Sequence, residues 1–190
     1  MTVSRFEYWQ LKLRAIAFLV FGRRDAAHEV FSQMLLAWPE DPYALASRAH
    51  LRAQMKQLDG AIADAKALTT SHPRRSAADW YNLAYLLEEA GRSGEAEPAF
   101  RQAVALDPKL DRAWYGLGLV LIRQQRLPEA VAALKRNTEL QPMSPYGWYQ
   151  LARIHVDRQE PDEARKIIRH LKGFEPKVAA QLERETGLAA

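Results

Sequence analysis

Apolar residues recur at offsets of three, four and seven along most of the chain. Leu83, Ala84 and Leu87 follow Trp80 in this way; Leu117, Gly118 and Leu121 follow Trp114; Leu151, Ala152 and His155 follow Trp148. Such offsets lie on one face of a helix. Each run breaks at a polar stretch, EAGRSGE, RQQRLPE or DRQEPDE. A second apolar face comes next: Ala96, Phe100 and Ala103, then Ala130, Leu134 and Asn137, then Ala164, Ile168 and Leu171. A proline closes each pair, where a helix does not easily continue. The pattern predicts pairs of helices joined by short polar turns.

The pairs repeat. Trp80, Trp114 and Trp148 are each 34 residues apart, and Pro39, Pro73, Pro108, Pro142 and Pro176 follow at steps of 34, 35, 34 and 34. Two residue types keep one interval independently. Units 77–110, 111–144 and 145–178 carry it best. They resemble the tetratricopeptide repeat, whose pattern is W-x2-L-G-x2-Y, then A-x3-F, then P, within 34 residues. The resemblance extends over about residues 8–178, with two degenerate units ahead of the clear ones. Unit 42–75 has Leu45 in the Trp slot, Ala49 in the Gly slot and Ala61 in the second-helix Ala slot; unit 8–41 has Leu11, Ala15, Phe18, Ala27 and Phe31. Both place an arginine, Arg14 or Arg48, where the pattern wants Leu. Either those units pack with slipped geometry or each guanidinium reaches water over its stem.

The resemblance implies an all-α fold: a right-handed solenoid of about five helix-turn-helix repeats in a single domain spanning 1–190. A capping helix is expected at about 177–187, with Val178 and Leu182 inward and Lys177, Gln181 and Arg184 outward, since a solenoid end needs a polar outer face. Gly118 reads as a point of close helix crossing. A phosphate-loop reading of Gly116-x-Gly118 needs a preceding strand and a third glycine, and neither is present. Trp114 reads as filler between neighbouring helix pairs. Asp41-Pro42 and Ser144-Pro145 read as an N-cap followed by a first-turn proline. Pro98, Pro128 and Pro161 are expected in or near the first turn of second helices, where the missing N–H matters little.

Composition supports helix: Leu and Ala dominate over β-branched residues. The chain has no cysteine, so disulfides, thiolate metal sites and a cysteine nucleophile are excluded. The net charge of +4 is concentrated in residues 1–24, where Arg5, Lys12, Arg14, Arg23 and Arg24 face only Glu7. The repeat body is close to neutral, so nucleic acid is not an expected partner. The apolar run Ala15–Phe21 is too short for a span of roughly 20 residues, and Arg23 and Arg24 follow it where a signal peptide would be cut. An integral membrane protein is not expected, and the expected compartment is the cytoplasm. The five histidines show no metal-ligand spacing, and no Gly-x-Ser-x-Gly occurs. No enzymatic role, metal or cofactor is expected; His155, in a slot usually taken by Tyr, reads as a packing residue.

The resemblance further implies a concave face, lined by the first helix of each repeat, that binds an extended peptide or a partner helix. Carried onto this chain, its positions are Trp9, Lys12, Ile16, Leu19 and Val20; Tyr43, Ala46, His50, Ala53 and Gln54; Ala78, Tyr81, Tyr85, Glu88 and Glu89; Arg112, Tyr115, Leu119, Ile122 and Arg123; and Tyr146, Tyr149, Arg153, Val156 and Asp157. Six of the seven tyrosines fall there. Tyrosine offers a flat apolar face and a hydroxyl at little entropic cost, which suits extended segments. The alternative is that these rings support neighbouring helices. The candidate partner-binding residues are Tyr43, His50, Tyr81, Asn82, Tyr85, Arg112, Tyr115, Tyr146, Tyr149 and Arg153. Some family members grip a chaperone's C-terminal carboxylate with a Lys/Asn/Arg clamp. Only Asn82 and Arg112 fit clamp slots, with Ile16 and His50 where Asn is wanted, so that activity is not expected. A second candidate interface is the apolar strip Trp9, Ile16 and Leu19 with Lys12. Three readings stand: the strip docks a protein partner or a second copy of the chain, it touches a membrane surface through its basic neighbours, or the terminal helix packs differently, as part of an ordinary first repeat.

Overall fold

The computed structural model describes residues 4–190. Among them it is all-helical. The helices are α1 (Arg5–Val20), α2 (Arg24–Ala37), α3 (Pro42–Gln54), α4 (Leu58–Ser71), α5 (Ala77–Glu89), α6 (Ser93–Leu106), α7 (Asp111–Arg123), α8 (Leu127–Leu140), α9 (Pro145–Asp157), α10 (Pro161–Lys172) and α11 (Pro176–Thr186). Two compact units divide the chain, the first ending at Leu106 and the second running Asp107–Ala190. The first holds the hairpins α1/α2, α3/α4 and α5/α6. The second holds α7/α8 and α9/α10, followed by α11, the expected C-terminal helix. Within each unit a helix packs on its hairpin partner and on the next hairpin.

Each hairpin turns on one residue with positive φ: Gly22, Lys56, Gly91, Gln125 and Gln159, at φ between 59° and 72°. The next amide reaches back to the first helix. Arg23, Gln57, Arg92, Arg126 and Glu160 donate at 2.8–2.9 Å to the carbonyls of Phe18, Arg52, Leu87, Leu121 and His155. This six-to-one bond satisfies a carbonyl that the helix end leaves open. Only two of the five turns use glycine, the residue for which that conformation carries no Cβ penalty.

The matching Trp and Pro intervals have a direct cause. The indole Nε1–H of Trp80 donates to the Pro73 carbonyl at 2.8 Å, that of Trp114 to Pro108 at 3.0 Å and that of Trp148 to Pro142 at 2.9 Å. The tryptophan ties its own helix to the loop before it, and its ring is half-buried. Trp114 is therefore a loop anchor as well as a filler.

The core runs between the helices of each unit. The apolar positions of both periodic faces are buried: Leu83, Ala84 and Leu87 with Ala96, Phe100 and Ala103 in the first unit, and Leu117 and Leu121 with Ala130 and Leu134 in the second. Gly118 stands where α7 crosses α8, and a Cβ there would lie 2.7 Å from Leu134 Cγ, inside van der Waals contact. His155 is buried, and its Nδ1–H donates to Glu160 at 2.6 Å. In α11, Ala179 and Leu182 are buried, Val178 packs beside them, and Lys177, Gln181 and Arg184 face outward.

Three details differ from expectation. Ser144 takes extended backbone at the start of α9 but makes no side-chain cap bond, whereas Asp41 Oδ1 accepts from the Ala44 amide at 2.7 Å. Pro98 lies inside α6 and not in its first turn. It removes the bond that the Gly94 carbonyl would otherwise accept, and Gly94 is exposed, so water can replace it. The third concerns Arg48, which neither slips nor reaches out to water. Its Nε and Nη2 donate to the two carboxylate oxygens of Asp64 at 2.9 and 2.7 Å, and Nη1 donates to Ser32 Oγ at 3.2 Å. Arg52 adds a bond to Asp64 at 2.9 Å and one to His28 Nε2 at 3.3 Å. A polar cluster thus ties α2, α3 and α4 together. Burial, then the charge of Arg52, holds His28 below the usual histidine range, in the neutral form that accepts this bond. Arg14 does reach solvent, with its guanidinium 5.6 Å from the Phe18 ring.

Candidate functional site

In the first unit the sequence places small residues along one face of α3: Ala46, Ala49 and Ala53, at offsets of three and seven. Across from them α5 presents Tyr81, Asn82 and Tyr85. Methyl groups on one wall and rings on the other leave a cleft of about 410 Å³. His50 and Gln54 stand on the α3 side, with Nε2 atoms 2.8 Å apart, and Glu89 closes the α5 side. Tyr81 and Tyr85 stack with centroids 6.3 Å apart and planes inclined by 27°, and Tyr81 rests on Phe100 at 6.1 Å. Phe100 is buried, so Tyr81 is braced from behind, while Tyr85 is 50 % exposed. At the cleft's inner edge, burial pushes the Asp79 carboxyl up, against the pull of the Arg75 guanidinium 2.7 Å away.

Of the candidates on this unit, His50, Tyr81, Asn82 and Tyr85 share the cleft. Tyr43 lies elsewhere. It packs edge-on against Phe31 at 5.8 Å, and Lys12 Nζ sits 4.1 Å from its ring centroid. Its surroundings are the core of the first hairpins. Tyr8, the tyrosine outside the groove set, donates to Asp41 Oδ2 at 3.1 Å. Burial, then the Asp41 charge and this bond, pushes its hydroxyl up to about 12.

The second unit arranges its candidates differently. Tyr115 on α7 meets Tyr146 on α9 edge-to-face, with centroids 6.4 Å apart, and Tyr146 is 68 % exposed. Tyr149 is engaged within the chain: its hydroxyl donates to Glu185 of α11 at 2.6 Å, and the Arg153 guanidinium stands 5.9 Å from its ring. That bond raises the Tyr149 hydroxyl and, with a second from Gln181, lowers the Glu185 carboxyl. Arg112 and Arg153 are exposed at their helix positions.

The second candidate interface is open to solvent. Trp9 is 48 % exposed, Ile16 and Leu19 are each 39 % exposed, and Lys12 is half-buried under the aromatic rings around it. Phe6 and Leu13 lie on the same side of α1 and are more exposed still. The groove positions had pointed to neither; their three-and-four spacing with Trp9 and Ile16 was the available signal. Likewise the alanine wall of α3 was legible as a run of small residues, and Glu185 was not, because nothing local in α11 indicates what it faces.

Helical hairpins with a repeated Gly-or-Ala crossing and a tryptophan tied to the preceding loop define an all-α repeat protein. Models of the tetratricopeptide repeat match residues 12–76, 81–142 and 145–170, and the chain belongs to the tetratricopeptide repeat family. The curated proteins yield no match. Among solved structures, the MamA protein is 20% identical with a TM-score of 0.82, over 96% of this chain and 97% of that one. YrrB, described as a TPR protein with an unusual peptide-binding site, is 15% identical with a TM-score of 0.80, over 90% of this chain and 88% of that one. A tetratricopeptide repeat protein from Parabacteroides merdae is 20% identical with a TM-score of 0.80, over 95% of this chain and 73% of that one. At these identities the likeness is one of fold.

Proposed function

We propose that this chain is a non-enzymatic protein-interaction adaptor or assembly factor, and that it holds an extended peptide or helix of its partner in the cleft between α3 and α5. The observation that carries this reading is the cleft itself. Its alanine wall accepts an apolar side chain, the Tyr81–Tyr85 stack offers a flat face, and Asn82, His50 and Gln54 can meet the hydrogen-bonding groups of a backbone. Glu89 at one side favours a partner with a cationic residue next to its apolar anchor. On the second unit, the exposed Tyr146, the half-buried Tyr115 it meets and the exposed Arg112 would offer a further contact surface. The family's role in protein binding agrees with this reading, and among the described residues no helix is long and apolar enough to cross a membrane.

The test starts from peptides selected on the intact chain from a random library, with affinities measured by calorimetry. Tyr85→Ala removes the exposed ring, and Ala53→Phe fills the cleft. Each should weaken binding at least roughly tenfold, the cost of losing one well-buried anchor, while circular dichroism and Tm stay near wild type. Peptides that bind both variants as tightly as the parent would overturn the cleft as the site.

A further inference from the structure

Helix α1 has two apolar faces. One, with Tyr8, Leu11, Ala15 and Phe18, packs into the core of the first hairpins. The other holds Phe6, Trp9, Leu13, Ile16 and Val20, exposed by 72, 48, 62, 39 and 76 %. At 100° per residue the two faces are centred about 160° apart, on nearly opposite sides of the helix. The spacing of the exposed set alternates three and four without a break over two heptads. That is the seam of a helix built to pair with another helix, narrower than the stripe of a helix lying on a globular core.

The geometry points to parallel pairing of α1 with α1 of a second copy of this chain. Three observations select that occupant. First, a three-four seam is self-complementary, since each position meets its own counterpart across a two-fold axis. Second, the flanks suit a parallel pair. One flank carries Arg5, Lys12 and the exposed Leu19, and the other carries Gln10 and Ala17. Parallel pairing sets the basic flank of one helix against the neutral flank of its mate; antiparallel pairing sets basic against basic. Third, the area is sufficient. With about 150–250 Å² for each aromatic side chain, the five residues expose on the order of 600 Å² in all, near the ~800 Å² per partner of a stable interface. The helix is already fixed by its hairpin, so association orders side chains and not a backbone. A lipid surface fits less well: Lys12 Nζ is drawn 4.1 Å from the Tyr43 ring and 5.1 Å from that of Trp9, away from where a headgroup would sit.

The test is sedimentation of the full chain over a concentration series. A reversible dimer is expected, and Leu13→Glu and Val20→Glu should each weaken it at least roughly thirtyfold. Both positions face solvent, and unchanged circular dichroism and Tm would show that the fold is kept. The chain has no cysteine, so Phe6→Cys and Val20→Cys report direction. Parallel pairing joins like to like in each single variant. Antiparallel pairing separates like positions by about 21 Å, at 1.5 Å rise per residue, and cross-links only the mixture. A monomer throughout, a dimer indifferent to both glutamates, cross-links in the mixture alone, or a monomer that floats with anionic vesicles would each overturn the proposal.

Discussion

Asp64 is 4 % exposed and receives two arginines, Arg48 and Arg52. A bidentate guanidinium–carboxylate pair is the strongest of the common charge-assisted hydrogen bonds, and here it replaces an aliphatic contact of the repeat pattern. The pair is asymmetric. Removing Arg48 leaves Asp64 bonded to Arg52, whereas removing Asp64 leaves two half-buried cations facing each other. Asp64→Ala should therefore destabilise by about 3–5 kcal/mol, the usual cost of orphaning a buried charge, and Arg48→Met by clearly less. Urea unfolding of both single variants and the double variant checks this. The double should be less destabilised than the sum, because one change removes what the other orphans. Nothing in the sequence could have named this pair. Arg48 was visible as an arginine in a leucine slot, but its partner stands 16 residues away on another helix, and periodicity carries no information on which buried positions face each other.

At the scale of the element, the hairpins were legible because three independent signals agree: the three-four offsets, the Trp and Pro intervals, and the polar breaks. Their common interval reflects real bonds, since each Trp indole is held by the carbonyl of the proline before it. The turn conformation was legible only where glycine marks it. EAGRSGE shows Gly91 in place, but RQQRLPE and DRQEPDE hide the left-handed residue as Gln125 and Gln159. Backbone strain at those positions is offset by the six-to-one bond and the packed helices on either side, so a long polar side chain such as Gln, or Lys at Lys56, is accommodated there. The candidate site was legible in outline for a similar reason. Helical phase placed Tyr81, Asn82 and Tyr85 beside one another on α5, yet it could not say that Tyr43 packs into the core or that α11 engages Tyr149. Those outcomes depend on neighbouring elements. The strain makes a prediction: Gln125→Gly and Gln159→Gly should each raise stability by ~0.5–1 kcal/mol, since a non-glycine residue in this region costs about 1–2 kcal/mol and glycine returns part of that as chain entropy. Thermal unfolding would show it as a higher Tm. A lower Tm would mean that the side chains contribute more than the backbone costs.

For the molecule as a whole, the arrangement of contacts matters more than their number. Within each unit, helices meet neighbours in chain order, and apolar positions are shared between one hairpin and the next without a central core. Stability in such an array approximates a sum of local terms and nearest-neighbour interfaces. A cavity should therefore be felt nearby first. Leu134 is fully buried, and its branched end fills the space over Gly118 where α7 crosses α8. Leu134→Ala should cost about 2–5 kcal/mol, because the crossing is fixed by backbone approach and collapses little. Native-state hydrogen exchange reads where that cost falls. Amides of α7, α8 and α9 should lose most protection, with smaller losses at helices farther along the chain and the least in α2 to α4. A uniform loss at every core amide would instead mean that the chain unfolds as one cooperative body and that the repeat description stops at geometry. The distinction bears on binding, since a chain that loosens hairpin by hairpin can adjust one contact surface to a partner while the other keeps its shape.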